Sequence, residues 1–316
     1  MIQIEILKKV NHIVTHENCA DGLASAMILR QVYQDAKVTF CQYGTKELAE
    51  LPAEPGILFC DMSPPLGRAV EFQAARSIVL DHHKQIKNMV LEFQEMGLGY
   101  FADEEKEPGV SGSVLAFTKV LRPMWEPTGS VPDIVIRQLA YLVGIRDTWQ
   151  RQDPLWYSAC NWAAGLKFYG EKRCLEGSFY DWWDIPHVGA IVVENAANRL
   201  KKTLEGAHRF TTSSGTRVVL FEGLSATSDA AELIGEEADL VVGFGCWQGD
   251  DGNLGYVYSC RSHTNFDCGA FCKQMGGGGH TKAAGFRDTV GPDTANPWAN
   301  FRNHVLGPYE GRQESK

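Results

Sequence analysis

The 316-residue chain has no apolar run of the roughly 18 to 20 residues that a helix needs to cross a bilayer. Its longest apolar stretches, residues 188–193 and 240–246, are the size of a strand or half a helix, so a membrane-embedded protein is not expected. It also lacks an excess of basic residues: 30 Lys and Arg stand against 39 Asp and Glu, a net charge of −9. Such a surface repels a long polyanion, which argues against gripping duplex DNA or long RNA. A small anion is still admitted, because metals, glycine amides and a few arginines can overcome a distributed field locally. No Cys-x-x-Cys pair occurs and no glycine run ends in Gly-Lys-Ser/Thr, so neither a zinc thiolate cage nor a Walker loop is encoded. The nine cysteines are odd in number, scattered and often set in apolar runs such as residues 58–60. They read as reduced, buried thiols, not as a disulfide framework. Internal repeats and low-complexity tracts are missing, apart from four consecutive glycines, Gly276 to Gly279. The opening segment, residues 1–9, alternates apolar and polar residues instead of showing a basic stretch, an apolar core and a cleavage site. It is read as the first strand of a cytoplasmic protein.

What is present is ordinary globular composition, 44% hydrophobic and 22% charged, over a length that fits two domains of roughly 150 residues each. Strand-like runs at 12–15, 37–43, 56–60 and 77–80 alternate with helical patterns at 23–34 and 66–76. This predicts a parallel sheet in an α/β domain, whose binding residues gather where strands end. A mostly helical section follows. Ser111 is placed to cap residues 114–121 and Asp133 to cap 134–145, with Pro123, Pro127, Gly129 and Pro132 interrupting between them. A long amphipathic helix is predicted at 185–208. Beyond it, strands at 217–221, 238–246 and 254–260 and helices at 230–236 and 266–275 give a second, smaller α/β domain. The polar tail 307–316 is expected to be loose. The domain plan is thus 1–184, a helical linker at 185–210, and 211–316.

Four separated segments carry candidate chemistry: His16 to Gly22, Asp61 to Pro64, Asp81-His82-His83-Lys84, and Arg146-Asp147-Thr148-Trp149. Any one alone has a plainer explanation, since Asp-Gly after a strand is usually a turn and an isolated Asp is usually a cap. All four in one α/β half put carboxylates at the mouth of a parallel sheet, where they repel unless cations sit between them. Oxygen and imidazole ligands suit Mn²⁺ or Mg²⁺, and the histidines favour Mn²⁺. Asp61 is the choice for a carboxylate bridging two ions about 3.5 to 4 Å apart. The run Gly276 to Phe286 is a second signal, because successive glycines let backbone amides approach an anion and His280 adds a donor. Its plainer alternative is a flexible turn before a strand. Arg261 supplies a guanidinium able to fork onto phosphate. Tryptophans 149, 156, 162, 182 and 183 are assigned mainly to packing, with base stacking as the alternative.

Taken together these segments resemble the DHH phosphoesterase family, in its DHHA1 branch, over nearly the whole chain. His16 to Ser25 match the first motif, Asp61 the second, Asp81-His82-His83 the triplet that names the family, and Asp147 the fourth. The resemblance implies a parallel-sheet DHH domain and a DHHA1 domain. It implies that Asp21, Asp61, His82 and Asp147 ligate metal with His16 joining them, that Asp81 orients the neighbouring imidazole, and that His83 faces the substrate phosphate. Many relatives carry an Asp where this chain has Cys19; a thiolate there ligates metal, whereas a neutral thiol weakens the first ion's site and leaves the second ion to arrive with substrate. Arg261, Ser262, Gly277, Gly278, Gly279 and His280 resemble the DHHA1 substrate signature, which demotes pyrophosphate as substrate, and Ser111 and Ser113 are assigned to substrate as well. The implied activity is that of a nanoRNase using one or two Mn²⁺ ions, with Mg²⁺ as the alternative. It would split short oligoribonucleotides, above all linear dinucleotides such as the pGpG left by cyclic di-GMP turnover, into 5′-mononucleotides. Metals would hold the scissile phosphate and Arg261 with His280 another part of the molecule, a ruler for length. Three alternatives stand beside it: a 3′-phosphoadenosine 5′-phosphate phosphatase, a cyclic-dinucleotide phosphodiesterase, and a nucleotide-binding module disabled at Cys19. A homodimer is admitted as well.

Overall fold

The computed structural model of the protein describes residues 2–103, 105–124, 133–176, 179–248, 254–288, 301 and 306. The chain divides into two compact units, Met1–Asn195 and Ala196–Lys316.

The first unit runs α1 (Ile4–Leu7), β1 (His12–His16), α2 (Ala20–Leu29), β2 (Lys37–Cys41), α3 (Lys46–Ala49), β3 (Ile57–Cys60), α4 (Ala69–Ala74), β4 (Ile78–Asp81), α5 (Lys87–Glu95), β5 (Gly99–Phe101), α6 (Gly112–Leu115), α7 (Arg122–Met124), α8 (Asp133–Asp147) and α9 (Trp156–Glu176), then enters α10 (Phe179–Glu205). Its five strands form a wholly parallel sheet in the order β2-β1-β3-β4-β5. Helices cover both faces, and this is why the central strands read as unbroken apolar runs: all of Ile57–Cys60 and Ile78–Asp81 are buried. One face packs against α2, α8 and α9 through Leu23, Met27, Leu139, Val143 and Leu166; the other packs Val14, Phe59 and Val79 against Phe72, Val90 and Phe93. Every residue of α2 is buried, so this helix has no solvent stripe and begins three residues before its predicted start.

The opening segment is the clearest departure from expectation. Its alternation predicts a first strand over residues 1–9; instead the chain makes the short helix α1, with Ile6 N and Leu7 N donating to Gln3 O. A strand would bury one whole face of the alternation, yet Ile4 is 47% exposed and only Leu7 of α1 is buried. The first strand is His12–His16.

The second unit contributes β6 (His208–Thr211), β7 (Arg217–Glu222), α11 (Thr227–Ile234), β8 (Leu240–Gln248), β9 (Leu254–Arg261), α12 (Cys268–Gln274), β10 (Gly278–His280) and β11 (Ala283–Asp288). They form a six-stranded sheet, β10-β11-β9-β8-β7-β6, in which only β7 and β8 pair in parallel. Tyr258, Phe271, Phe286 and Phe301 fill one face, while α11 packs Ala230, Ala231 and Ile234 against Val219, Phe221 and Val241 on the other. All nine cysteines are reduced thiols, six of them buried. Among the described residues no helix is long and apolar enough to cross a membrane. Pro127, Gly129, Pro132 and the tail 307–316 lie outside the described residues.

Candidate metal centre

The carboxyl ends of β1, β3 and β4, the first turn of α2 and the last turn of α8 bring the predicted ligands together. Asp61 follows β3 directly, with its backbone in the left-handed region at φ 60°. Asp tolerates that conformation better than most residues, and strain of this kind collects at functional sites. The Asp61 amide donates to Leu80 O at 3.0 Å, which ties the loop to β4 and aims the carboxylate across the strand ends. Asp21 sits in the first turn of α2, where the helix N-terminus favours a carboxylate. Asp147 closes α8, and His82 follows β4.

His82 Nε2 lies 3.3 Å from Asp61 Oδ1, 3.3 Å from Asp147 Oδ2 and 4.0 Å from Asp21 Oδ2. His16 Nδ1 lies 4.0 Å from Asp61 Oδ2. Three sets of donors each fall within 4.8 Å of one another: His16, Cys19 and Asp61; Asp61, His82 and His83; and Asp21, Asp61, His82 and Asp147. Asp61 belongs to all three. The sequence-predicted ligands therefore converge, Cys19 among them.

The donors fit a divalent cation. Asp21 Oδ2, Asp61 Oδ2 and His16 Nδ1 are buried atoms with no hydrogen-bond partner, an arrangement that costs free energy unless something ligates them. Burial first, and then the charges of Asp21, Cys19, Asp147 and Asp81, drive the Asp61 carboxyl well above the usual carboxylate range. Burial, followed by the charge of Asp21, lifts Asp147 to about 7. Burial also raises the Cys19 thiol to about 11, with Asp147 and Asp21 adding to it. A cation at the centre of these groups relieves every one of these penalties.

Residues around the donors fix their orientation. Ser111 Oγ donates to Asp21 Oδ1 at 2.6 Å and Ser113 N donates to the same oxygen at 3.0 Å. Asp21 is thus turned so that Oδ2 faces the other donors. Ser113 Oγ is spent on Ala140 O at 3.1 Å. Both serines are fully buried, and their hydrogen bonds here go to Asp21 and to Ala140 O of α8, an arrangement that orients Asp21. Ser111 does not cap α6 with its side chain, because its hydroxyl goes to Asp21. Between them Gly112 is obligatory, since a Cβ there would stand 2.4 Å from Asp61 Cβ and 2.8 Å from Asp21 Oδ2. Gln42 Oε1 lies 2.9 Å from His16 Nε2 and fixes that ring, a role sequence reasoning missed because Gln42 sits in an unremarkable loop after β2.

Asp81 Oδ1 accepts from His82 N at 2.7 Å and His83 N at 3.0 Å, and pairs with His83 Nδ1 at 2.7 Å. One buried oxygen thereby sets the loop and the His83 ring. Burial depresses the His83 pKa, but the Asp81 hydrogen bond and the charges of Asp81, Asp147 and Asp21 outweigh it and leave the imidazole raised above 6.5.

In the second unit the glycine run forms β10 and the turn before it. Gly277 and Gly279 are required by packing: a Cβ would stand 2.2 Å from Gly285 O at the first and 2.5 Å from Ala284 Cα at the second, where φ is 142°. Gly278 faces open space. Across the antiparallel ladders Arg261 pairs with Ala283 and Ala283 with His280, so the three share one sheet face, with the small Ala283 between the two longer side chains. Arg261 is held in place, Nε donating to Ser228 Oγ at 3.0 Å and Nη1 to Ser259 Oγ and Cys260 O at 3.1 and 2.9 Å. Ser262 is buried and accepts from Thr264 N at 3.2 Å, which stabilises the turn after β9. Of the tryptophans, Trp162 and Trp182 are buried in the core, whereas Trp149 is 42% and Trp183 48% exposed.

No protein-family model matches the chain, and no curated protein matches it in sequence. Solved structures do match in fold. A pGpG-specific phosphodiesterase from Vibrio cholerae, PggH, superposes with a TM-score of 0.55 at 12% identity, covering 96% of this chain and 99% of that one. The DHH domain of a member of a family of ribosomal proteins gives 0.56 at 12% identity, over 97% and 87% of the two chains. RecJ from Thermus thermophilus, solved in complex with Mn²⁺, gives 0.55 at 16% identity; it covers 99% of this chain, which spans about half of RecJ, 53% of its length. The chain has the fold of these DHH-domain proteins, a five-stranded parallel α/β sheet followed by a second sheet.

Proposed function

We propose that the protein is a metal-dependent phosphodiesterase that hydrolyses short oligoribonucleotides, above all linear dinucleotides such as pGpG, to 5′-mononucleotides. The observation that carries this reading is that Asp61 belongs to all three donor sets, the arrangement a bridging carboxylate requires. The fold shared with a pGpG-specific phosphodiesterase and with Mn²⁺-bound RecJ supports it. The metal is taken to be one or two Mn²⁺ ions, with Mg²⁺ as the alternative.

Asp21, Asp61, His82 and Asp147 would hold one ion, and His16 and Cys19 would join Asp61 around a second. Such ions, when bound, supply activated water and neutralise charge on the phosphoryl group. The chain's own residues do the rest. Asp81 takes the Nδ1–H of His83, leaving the Nε2–H of the imidazolium to face the phosphoryl oxygens as negative charge grows. Asp81 acts through His83 as a positioning residue. Arg261 and His280 are assigned to another part of the substrate, with Arg261 oriented by its hydrogen bonds to Ser228 and Ser259. The acidic surface fits a short anion better than a long one, and a cytoplasmic setting follows from such a substrate.

Purified protein incubated with Mn²⁺ and labelled di- to heptanucleotides, cyclic dinucleotides and 3′-phosphoadenosine 5′-phosphate tests the reading. Mononucleotide release, fastest from dinucleotides and abolished by EDTA, is the expected result. Release of inorganic phosphate from 3′-phosphoadenosine 5′-phosphate with dinucleotides left intact would overturn it.

A further inference from the structure

Immediately after Asp147 the chain folds back on itself: Gln150 N donates to Ile145 O at 2.9 Å and Arg151 N to Trp149 O at 2.8 Å. The turn gathers two arginines and two tryptophans. The Arg146 guanidinium lies 4.4 Å from the Trp149 ring centroid and 5.3 Å from that of Trp156, and the Arg151 guanidinium lies 5.2 and 5.4 Å from the same two rings. The indoles meet edge to face at 5.4 Å. Trp149 is held at φ 59°, a conformation that a bulky side chain rarely adopts.

Two guanidinium groups set against one pair of rings concentrate positive charge at this turn. In a chain of net charge −9 carboxylates are plentiful, yet Arg146 makes no ion pair with one among the described residues. Stacking engages the faces of a guanidinium and not its in-plane N–H groups, which are the atoms that fork onto an oxyanion. A cation at the end of α8 meets the helix dipole, which suits Arg146, and the turn held at Trp149 brings Arg151 to the same two rings. Arg146 adjoins Asp147, whose Oδ2 is 3.3 Å from His82 Nε2, so an anion on this shelf is a close neighbour of the metal centre.

We propose that Arg146 and Arg151, shelved on Trp149 and Trp156, form a subsite for a terminal phosphate, so that the protein selects 5′-phosphorylated dinucleotides over those ending in a 5′-hydroxyl. The selection of substrate rests on the phosphodiesterase reading; the phosphate site does not. Free inorganic phosphate and the mononucleotide product share the chemistry and are separate arms of the test. Equilibrium dialysis of the full chain in EDTA measures binding of GMP, guanosine and inorganic phosphate, and steady-state kinetics with Mn²⁺ compares pGpG with GpG. GMP is expected to bind at least about tenfold more tightly than guanosine, with inorganic phosphate competing. Arg146→Met and Arg151→Met bring GMP down to the guanosine level and remove the KM advantage of pGpG over GpG. Arg146→Lys, which keeps charge but loses the fork, falls between, and serves if a methionine variant fails to fold; thermal unfolding reads the fold. Equal binding of GMP and guanosine by the unaltered protein, or a GMP preference that survives in folded methionine variants, refutes the subsite. Intact GMP preference without any pGpG cleavage refutes the proposed reaction and leaves the subsite standing, whereas pGpG cleavage with equal KM for GpG refutes the subsite alone.

Discussion

Replacing Asp61 by Asn should stabilise the metal-free protein and destabilise the metal-loaded one, a reversal that only a cation-dependent cluster produces. Ligand oxygens of Asp21, Asp61 and Asp147 lie within 4.8 Å of one another. Two unit charges at about that distance repel by roughly 3 kcal/mol at an effective dielectric of about 20. Asn keeps the shape and the acceptor toward His82 Nε2 while removing the charge. Partial protonation already relieves some of the repulsion, so the expected gain at pH 8 in EDTA is about 1–3 kcal/mol, or about 2–12 °C in Tm for a unit of this size. The pH dependence has a definite sign. Asp147 rises from the ordinary 3.8 to about 7 on folding, chiefly by burial, so the folded state binds more protons and metal-free stability falls as pH climbs through that window. The advantage of Asp61→Asn should therefore shrink at pH 5. Mn²⁺ at about 1,000 times its Kd adds about 4.1 kcal/mol to the unaltered protein, and little to the variant. Calorimetry at pH 5 and 8, with EDTA or Mn²⁺, measures all four states. A metal-free Asp61→Asn less stable than the parent at pH 8, or equal stabilisation of both by Mn²⁺, would refute the reasoning.

Ser111→Ala removes the 2.6 Å hydrogen bond to Asp21 and should weaken Mn²⁺ binding about 10- to 100-fold by calorimetric titration; unchanged affinity would return Ser111 to a substrate role. Asp81→Asn lowers the His83 pKa, which stands above 6.5 largely through Asp81, so the alkaline limb of the rate profile should move to lower pH and an NMR titration of His83 should move with it. Arg261→Ala should raise KM for dinucleotides about tenfold or more with Mn²⁺ affinity intact; loss of metal would count against its assignment.

Much of the first unit was legible because its chemistry repeats one local signal. Each of β1, β3 and β4 is a short apolar run that ends in or is soon followed by an Asp or His, so strand ends and ligands were read together. The pieces that escaped depend on distance in sequence. Ser111 meets Asp21 across ninety positions and Gln42 meets His16 across twenty-six, and no local pattern encodes either pairing. β5 has only three residues, and β10 and β11 are diluted by glycines whose role is to let two strands and α12 approach closely. α1 failed for the opposite reason: its alternation is real, but His12–His16 takes the place of the first strand in the sheet.

Asp21 is wrapped on every side by a helix with no exposed residue, while Cys19 lies just outside that helix at its cap and Asp147 is a quarter exposed. Exchanging the residue at position 21 would disturb the interior along with the ligand set, whereas position 19 can change donor type at little cost to packing. A substitution meant to change the metal preference is therefore expected to succeed most readily at the rim, where a sulfur already stands.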